Sequence, residues 1–154
     1  MTGSTKQELI DHLLAHAVRT GEFTLKSGRT STWFCDGKQT VCRAEGLLLV
    51  ADLALETIPD DVTAIGGLTA GADPVAAASP PGAVSRVVVC EDVVTRGTSP
   101  MEAAEVVREL GAEPVMVMPV VDRGGTCGAL AEAAGLDFRP LVTALELGFP
   151  YEGP

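Results

Sequence analysis

Residues 87–99 read Val-Val-Val-Cys-Glu-Asp-Val-Val-Thr-Arg-Gly-Thr-Ser, and no other stretch narrows the fold of this chain as far. Val87, Val88, Val89 and Cys90 make an unbroken run of small or β-branched apolar residues, the pattern of a strand buried on both faces in a parallel sheet. Pro100 then stands where a helix can begin, and the helix is predicted over residues 100–110. A buried strand feeding a helix puts the loop between them at the carboxyl edge of the sheet, where open α/β folds bind ligands. Gly97 allows a tight turn there, while Thr95, Thr98 and Ser99 set hydroxyls beside backbone N–H groups that can converge on an anion. The helix N-terminus adds partial positive charge. With the acids Glu91 and Asp92 next to this cradle, the layout suits a sugar phosphate. A Walker-type phosphate loop is excluded, since no Gly-Lys-Ser/Thr follows the strand.

The rest of the chain continues the alternation. Thr5 is a candidate N-cap, with Glu8 as its capping-box partner, for a helix over residues 5–19 that carries Leu9, Ile10, Leu13, Leu14 and Ala17 on its apolar side and stops at Gly21. Residues 23–36 hold two β-favouring runs around a Ser27-Gly28 turn and predict a hairpin without a core strand's pattern. A helix over 45–57 and a short strand over 62–67 follow, the strand running into a Gly-rich turn, with Asp73 and Pro74 opening another helix. A strand over 113–121 ends in Asp122-Arg123-Gly124-Gly125, followed by a helix over 126–134 closed by Gly135 and a last strand over 139–145. The expected fold is a doubly wound α/β parallel sheet, one domain over residues 1–154, under a small amino-terminal hood. Residues 1–44 and the carboxyl-terminal end supply the hood.

Composition bounds the function. With 154 residues, 46% hydrophobic and 21% charged, the chain has the balance of a soluble globular domain. It shows no basic-then-apolar leader and no apolar run of the roughly 18 residues a membrane span needs, so a cytoplasmic protein without membrane attachment is expected. A formal charge of -10 argues against nucleic acid as a partner. An anionic small ligand remains compatible, because Lys26, Arg29, Lys38 and Arg43 crowd into one segment while Arg96 and Arg123 follow strand ends. Cys35, Cys42, Cys90 and Cys127 are scattered without metal spacing and read as reduced thiols. His12 and His16 lack a third ligand and read as helix surface or a subunit contact.

The strand, acid pair and Thr-x-Gly-x-Ser loop together resemble the phosphoribosyl-pyrophosphate (PRPP) motif of the type I phosphoribosyltransferases. The segment Phe23-Thr24-Leu25-Lys26-Ser27-Gly28-Arg29-Thr30-Ser31 with the aromatic pair Trp33-Phe34 is similar to the amino-terminal signature of the orotate phosphoribosyltransferases. The step Val120-Val121-Asp122-Arg123-Gly124 is similar to that family's Asp-Arg motif, and residues 65–74 to its pyrophosphate loop. The resemblance implies PRPP and orotate as substrates, Mg2+ held mainly by substrate oxygens, no metal ligand among the side chains, and a homodimer. It implies that Glu91 and Asp92 hold the ribose hydroxyls, and that Val93, Val94, Thr95, Arg96, Gly97, Thr98 and Ser99 complete the PRPP motif around the 5′-phosphate, with Lys26 also reaching PRPP. Lys26, Phe34, Thr95 and Arg123 place orotate, and Gly66, Gly67, Leu68, Thr69, Ala70 and Gly71 receive pyrophosphate. Arginine suits orotate because its planar fork binds a carboxylate or a carbonyl pair bidentately.

One departure from the family is visible. Between the helix opened by Asp73 and the strand at Val87 the chain has only Ser79-Pro80-Pro81-Gly82-Ala83-Val84-Ser85-Arg86. The family normally carries here a strand ending in Arg-Lys and a mobile basic lid that closes over the neighbouring subunit's site. Ala70 also stands where some relatives have a lysine. Two other readings therefore stay open: a phosphoribosyltransferase for a purine or uracil, and a lidless regulator that binds PRPP or a nucleotide without turnover.

Overall fold

The computed structural model describes residues 2–24, 28–67 and 85–153. Two strands dominate it. β4 (Arg86–Val94) and β5 (Glu113–Asp122) pair in parallel with Val88 opposite Met116 and Val93 opposite Val121. β3 (Ala64–Gly66) lies on the other side of β4, also parallel, with Gly66 opposite Val89. β6 (Asp137–Phe138) and β7 (Val142–Thr143) both pair with β5, giving the order β3-β4-β5-β6 with β7 beside the far end of β5.

Because successive strand residues point to opposite faces, this sheet has two cores. On one face Val88, Met116 and Met118 join Leu9 and Leu13 of helix α1 (Thr2–His16) and Leu53 of helix α3 (Ala44–Thr57). On the other, Val89 and Val117 meet Ala103 and Ala104 of helix α4 (Thr98–Glu109), and Cys127 and Ala131 of helix α5 (Cys127–Ala133). Helices on both faces of a parallel sheet are the doubly wound arrangement.

The hairpin is real and more deeply anchored than its sequence suggests. β1 (Val18–Thr24) and β2 (Thr30–Cys35) are antiparallel, and Ser31, Trp33 and Cys35 are buried while Thr30, Thr32 and Phe34 are exposed. That strict alternation is a core-facing strand after all. Trp33 is fully buried and stacks on Phe149 with centroids 4.7 Å apart.

Four boundaries differ from expectation. The first helix begins before Thr5 and ends at His16, because Val18 and Arg19 pair across the hairpin with Cys35 and Phe34. Gly21, expected to end that helix, instead sits inside β1 with φ 148° at a break in register, a bulge position. Helix α4 begins at Thr98, so Pro100 lies within its first turn, where an N–H is not needed. The last strand is interrupted by Pro140, which cannot donate. Arg139 and Leu141 still give their N–H groups to the Val117 and Pro119 carbonyls, each at 3.0 Å. A short helix α2 (Lys38–Val41) adds an element the sequence did not suggest. The helix expected from Asp73 lies outside the described residues.

Candidate active site

Glu91 and Asp92 lie within β4, and Val93 and Val94 complete the strand. Backbone pairing with β5 therefore holds the acids, which a free loop would leave mobile. Asp92 Oδ1 accepts the Val93 N–H at 2.9 Å, and Glu91 Oε1 accepts the Asp92 N–H at 3.3 Å. Thr95, Arg96 and Gly97 make the turn, and Thr98 and Ser99 form the first turn of α4. Gly97 is left-handed at φ 81°, and a Cβ there would stand 2.9 Å from the Cys127 sulfur. The glycine is thus required both by its conformation and by the packing of α5 beneath it.

A second loop supports the first. Asp122, buried at the end of β5, accepts the N–H groups of Gly124 at 3.2 Å and Gly125 at 2.9 Å through Oδ1. This curls residues 123–125 against the β4 loop, where the Arg123 N–H bonds the Val94 carbonyl at 2.8 Å and Thr126 Oγ1 the Thr95 carbonyl at 3.0 Å. Gly66 ends β3 on the other side, opposite Val89, its carbonyl 3.5 Å from the Cys90 thiol, and Gly67 follows it. Leu68, Thr69, Ala70, Gly71 and Lys26 lie outside the described residues.

Arg123 joins the sheet to the hairpin. Its Nη2 donates to Ser31 Oγ at 3.0 Å and to the Trp33 carbonyl at 2.8 Å, and its guanidinium carbon lies 4.9 Å from the Trp33 ring centroid. The residue is only 3% exposed, and its Nε has no hydrogen-bond partner among the described residues. Burial lowers the pKa of its guanidinium, while the charge of Glu152 opposes that shift. Ser31 donates to Glu152 Oε1 at 2.8 Å, and the Glu152 N–H returns to the Arg123 carbonyl at 2.9 Å. Phe34, 42% exposed, projects from the other face of β2 toward Phe23, with ring centroids 6.0 Å apart. It is not among the side chains that Arg123 touches.

Cys35 shows how closely these parts converge. Burial pushes its thiol up to about 12, the charge of Asp92 adds to the shift, and that of Arg123 opposes it. The end of β2 therefore stands within the field of both Asp92 and the buried arginine. His12 and His16 have ring centroids 4.5 Å apart, and His12 Nδ1 lies 3.2 Å from Thr40 Oγ1. Among the described residues no group of three or more His, Cys, Asp or Glu is placed to hold a metal ion.

The structure adds residues the motifs did not single out. Gly37 packs on Asp92 so closely that a Cβ there would stand 2.8 Å from the Asp92 Cβ, and Lys38 Nζ lies 3.9 Å from Asp92 Oδ2. Glu152, together with Ser31 from the end of the amino-terminal signature, forms the mount of Arg123. The only sequence signal for the first pair was the basic crowding around Lys38; Glu152 sits in a tail without periodicity.

A parallel sheet whose acid-bearing strand runs into a hydroxyl-rich loop, roofed by an antiparallel ribbon, defines the type I phosphoribosyltransferase class. Comparison with known proteins narrows this. An orotate phosphoribosyltransferase of Synechocystis is 35% identical, with 90% of this chain and 86% of the relative covered, and one of Corynebacterium glutamicum is 32% identical over 96% of each. The orotate phosphoribosyltransferase of Mycobacterium tuberculosis H37Rv, solved in complex with PRPP, superposes with a TM-score of 0.78 at 30% identity, covering 94% of this chain and 99% of that one. No protein-family model matches. The chain belongs to the orotate phosphoribosyltransferase family.

The aligned lengths also differ. The alignment with the Synechocystis relative runs over 172 positions, although nine-tenths of this chain is only about 139 residues. The relative thus carries on the order of thirty residues with no counterpart here.

Proposed function

We propose that this protein transfers the phosphoribosyl group of PRPP to orotate, giving orotidine 5′-monophosphate and pyrophosphate. The observation that carries the reading is the fixed placement of Glu91 and Asp92 at the end of β4, between the 95–99 loop and the hairpin that Arg123 clamps. Glu91 and Asp92 accept the ribose hydroxyls. Residues 95–99 and the first N–H groups of α4 take the 5′-phosphate, and residues 66–71 take pyrophosphate. Lys26, Phe34, Thr95 and Arg123 orient orotate. No protein nucleophile is required: the C1′–oxygen bond breaks with its electron pair leaving on pyrophosphate, and the base nitrogen bonds C1′ as its proton passes to the departing pyrophosphate or to water, so the protein orients the partners and offsets charge. Mg2+ would be held chiefly by the substrate's own oxygens and would offset the charge of the diphosphate.

The chain acts as one domain, in the cytoplasm, as a homodimer; Leu47, Leu48 and Leu55 leave an apolar stripe exposed on α3 that a second copy would cover. No described helix is long and apolar enough to cross a membrane.

The test is orotate-dependent release of pyrophosphate from PRPP with Mg2+, run beside uracil, adenine and hypoxanthine. Product with orotate alone supports the reading, and product with another base overturns the base assignment. One observation favours a second reading, PRPP binding without turnover: residues 67–85 contain no lysine or arginine. Calorimetric binding of PRPP with no product from any base would establish it.

A further inference from the structure

We infer that Lys38 is a further PRPP-binding residue, set between two carboxylates at the edge of the acid pair so that its ammonium meets the anionic substrate. This rests on the PRPP reading above, and it begins from charge. Asp36 and Asp92 bring two carboxylates to Lys38, with Glu91 next to Asp92 along β4, yet the substrate is a polyanion. Bare acids there would repel the molecule whose hydroxyls they are to accept.

Lys38 resolves the conflict. Its Nζ stands 3.3 Å from Asp36 Oδ1 and 3.9 Å from Asp92 Oδ2. The side chain is 72% exposed, so the ammonium remains open to a ligand while bound to both acids. Its pKa is raised, first by the hydrogen bond to Asp36 and next by the charge of Asp92, so it stays cationic at neutral pH.

The position is built by the backbone as well. Lys38 opens α2 directly after Gly37, and any side chain on Gly37 would press on Asp92 Cβ at 2.8 Å and Oδ2 at 3.0 Å. Because Asp92 Oδ1 already takes the Val93 N–H, Lys38 approaches the other oxygen and fixes which way the carboxylate presents itself. Exposed ion pairs contribute little to folding. A lysine placed so is therefore expected to affect ligand binding far more than stability. The absence of any lysine or arginine in residues 67–85 leaves this ammonium a larger share of the substrate's charge.

The experiment is titration of Lys38→Ala, Lys38→Gln and Lys38→Arg with PRPP and Mg2+ by calorimetry, together with the KM for PRPP and for orotate and the melting temperature. Expected are a PRPP affinity about tenfold lower in the alanine and glutamine variants, an unchanged orotate KM, recovery in the arginine variant, and an unaltered melting temperature. Wild-type PRPP affinity in Lys38→Ala, or equal loss of PRPP and orotate, overturns the inference. If the unmutated protein itself binds no PRPP, the functional reading fails and the role of Lys38 falls with it.

Discussion

The carbonyl oxygen of Thr95 occupies the place where a side chain on Gly124 would begin. The 95–99 loop after β4 and the loop after β5 thus touch backbone to backbone, and one atom added to the second must displace the first. Gly124→Ala is expected to destabilise the fold by at least about 2 kcal/mol, as overpacking of a rigid contact does, and to weaken PRPP binding with it. Gly135→Ala is the control: it meets open space at φ 74° and should cost only the left-handed strain of about 1 kcal/mol. Equal melting temperatures for the two variants would refute the account.

Asp92→Asn should lower PRPP affinity at least about tenfold, since an amide offers one acceptor where the carboxylate offers two charged ones. Its melting temperature should change little. Calorimetry that finds wild-type affinity would remove Asp92 from the site.

Arg123→Ala should lose orotate and retain PRPP. Because the guanidinium also donates to Ser31 Oγ and the Trp33 carbonyl, the variant removes two buried charge-assisted hydrogen bonds, a loss of about 1.5–3 kcal/mol. At about 2–4 °C per kcal/mol for a chain of this size, the melting point should drop visibly. Loss of both substrates together, or of neither, would show that Arg123 is a strut of the hairpin without a role in base choice.

Buried thiols predict loss of stability in base. The Cys35 thiol is raised from 9.0 to about 12 and that of Cys127 to about 11, each first by burial. In the unfolded chain these thiols ionise near pH 9 while the native ones stay neutral. Their contribution is full below pH 9 and is lost between 9 and the native value, at up to about 1.4 kcal/mol per pH unit for each thiol. Urea midpoints should therefore fall from pH 9 upward, and more gently in Cys35→Ala. An identical slope in that variant would exclude Cys35 as a source. Under native conditions the exposed Cys42 should react with a thiol reagent well before the buried Cys35 and Cys127.

Much of this protein was legible without coordinates. Val87 to Val89 could be read as a buried strand because a parallel sheet hides both faces, and Gly97 could be read as a tight turn because its left-handed conformation is a local property. Other features needed the fold. Pairing across the hairpin took Arg19 from the first helix, and Pro140 split the last strand without detaching it from β5. The place of Trp33 in the core was hidden, since a ribbon shows its buried face only once something packs on it. The company of Asp92 was hidden too: Gly37 and Lys38 are more than fifty residues away along the chain, and no local pattern brings them to a carboxylate. Arg123 shows both sides. Its motif singled it out, but its burial against Ser31, Trp33 and Glu152 depends on long-range packing, so only the tertiary structure shows that the residue proposed to read the base holds the hairpin to the sheet.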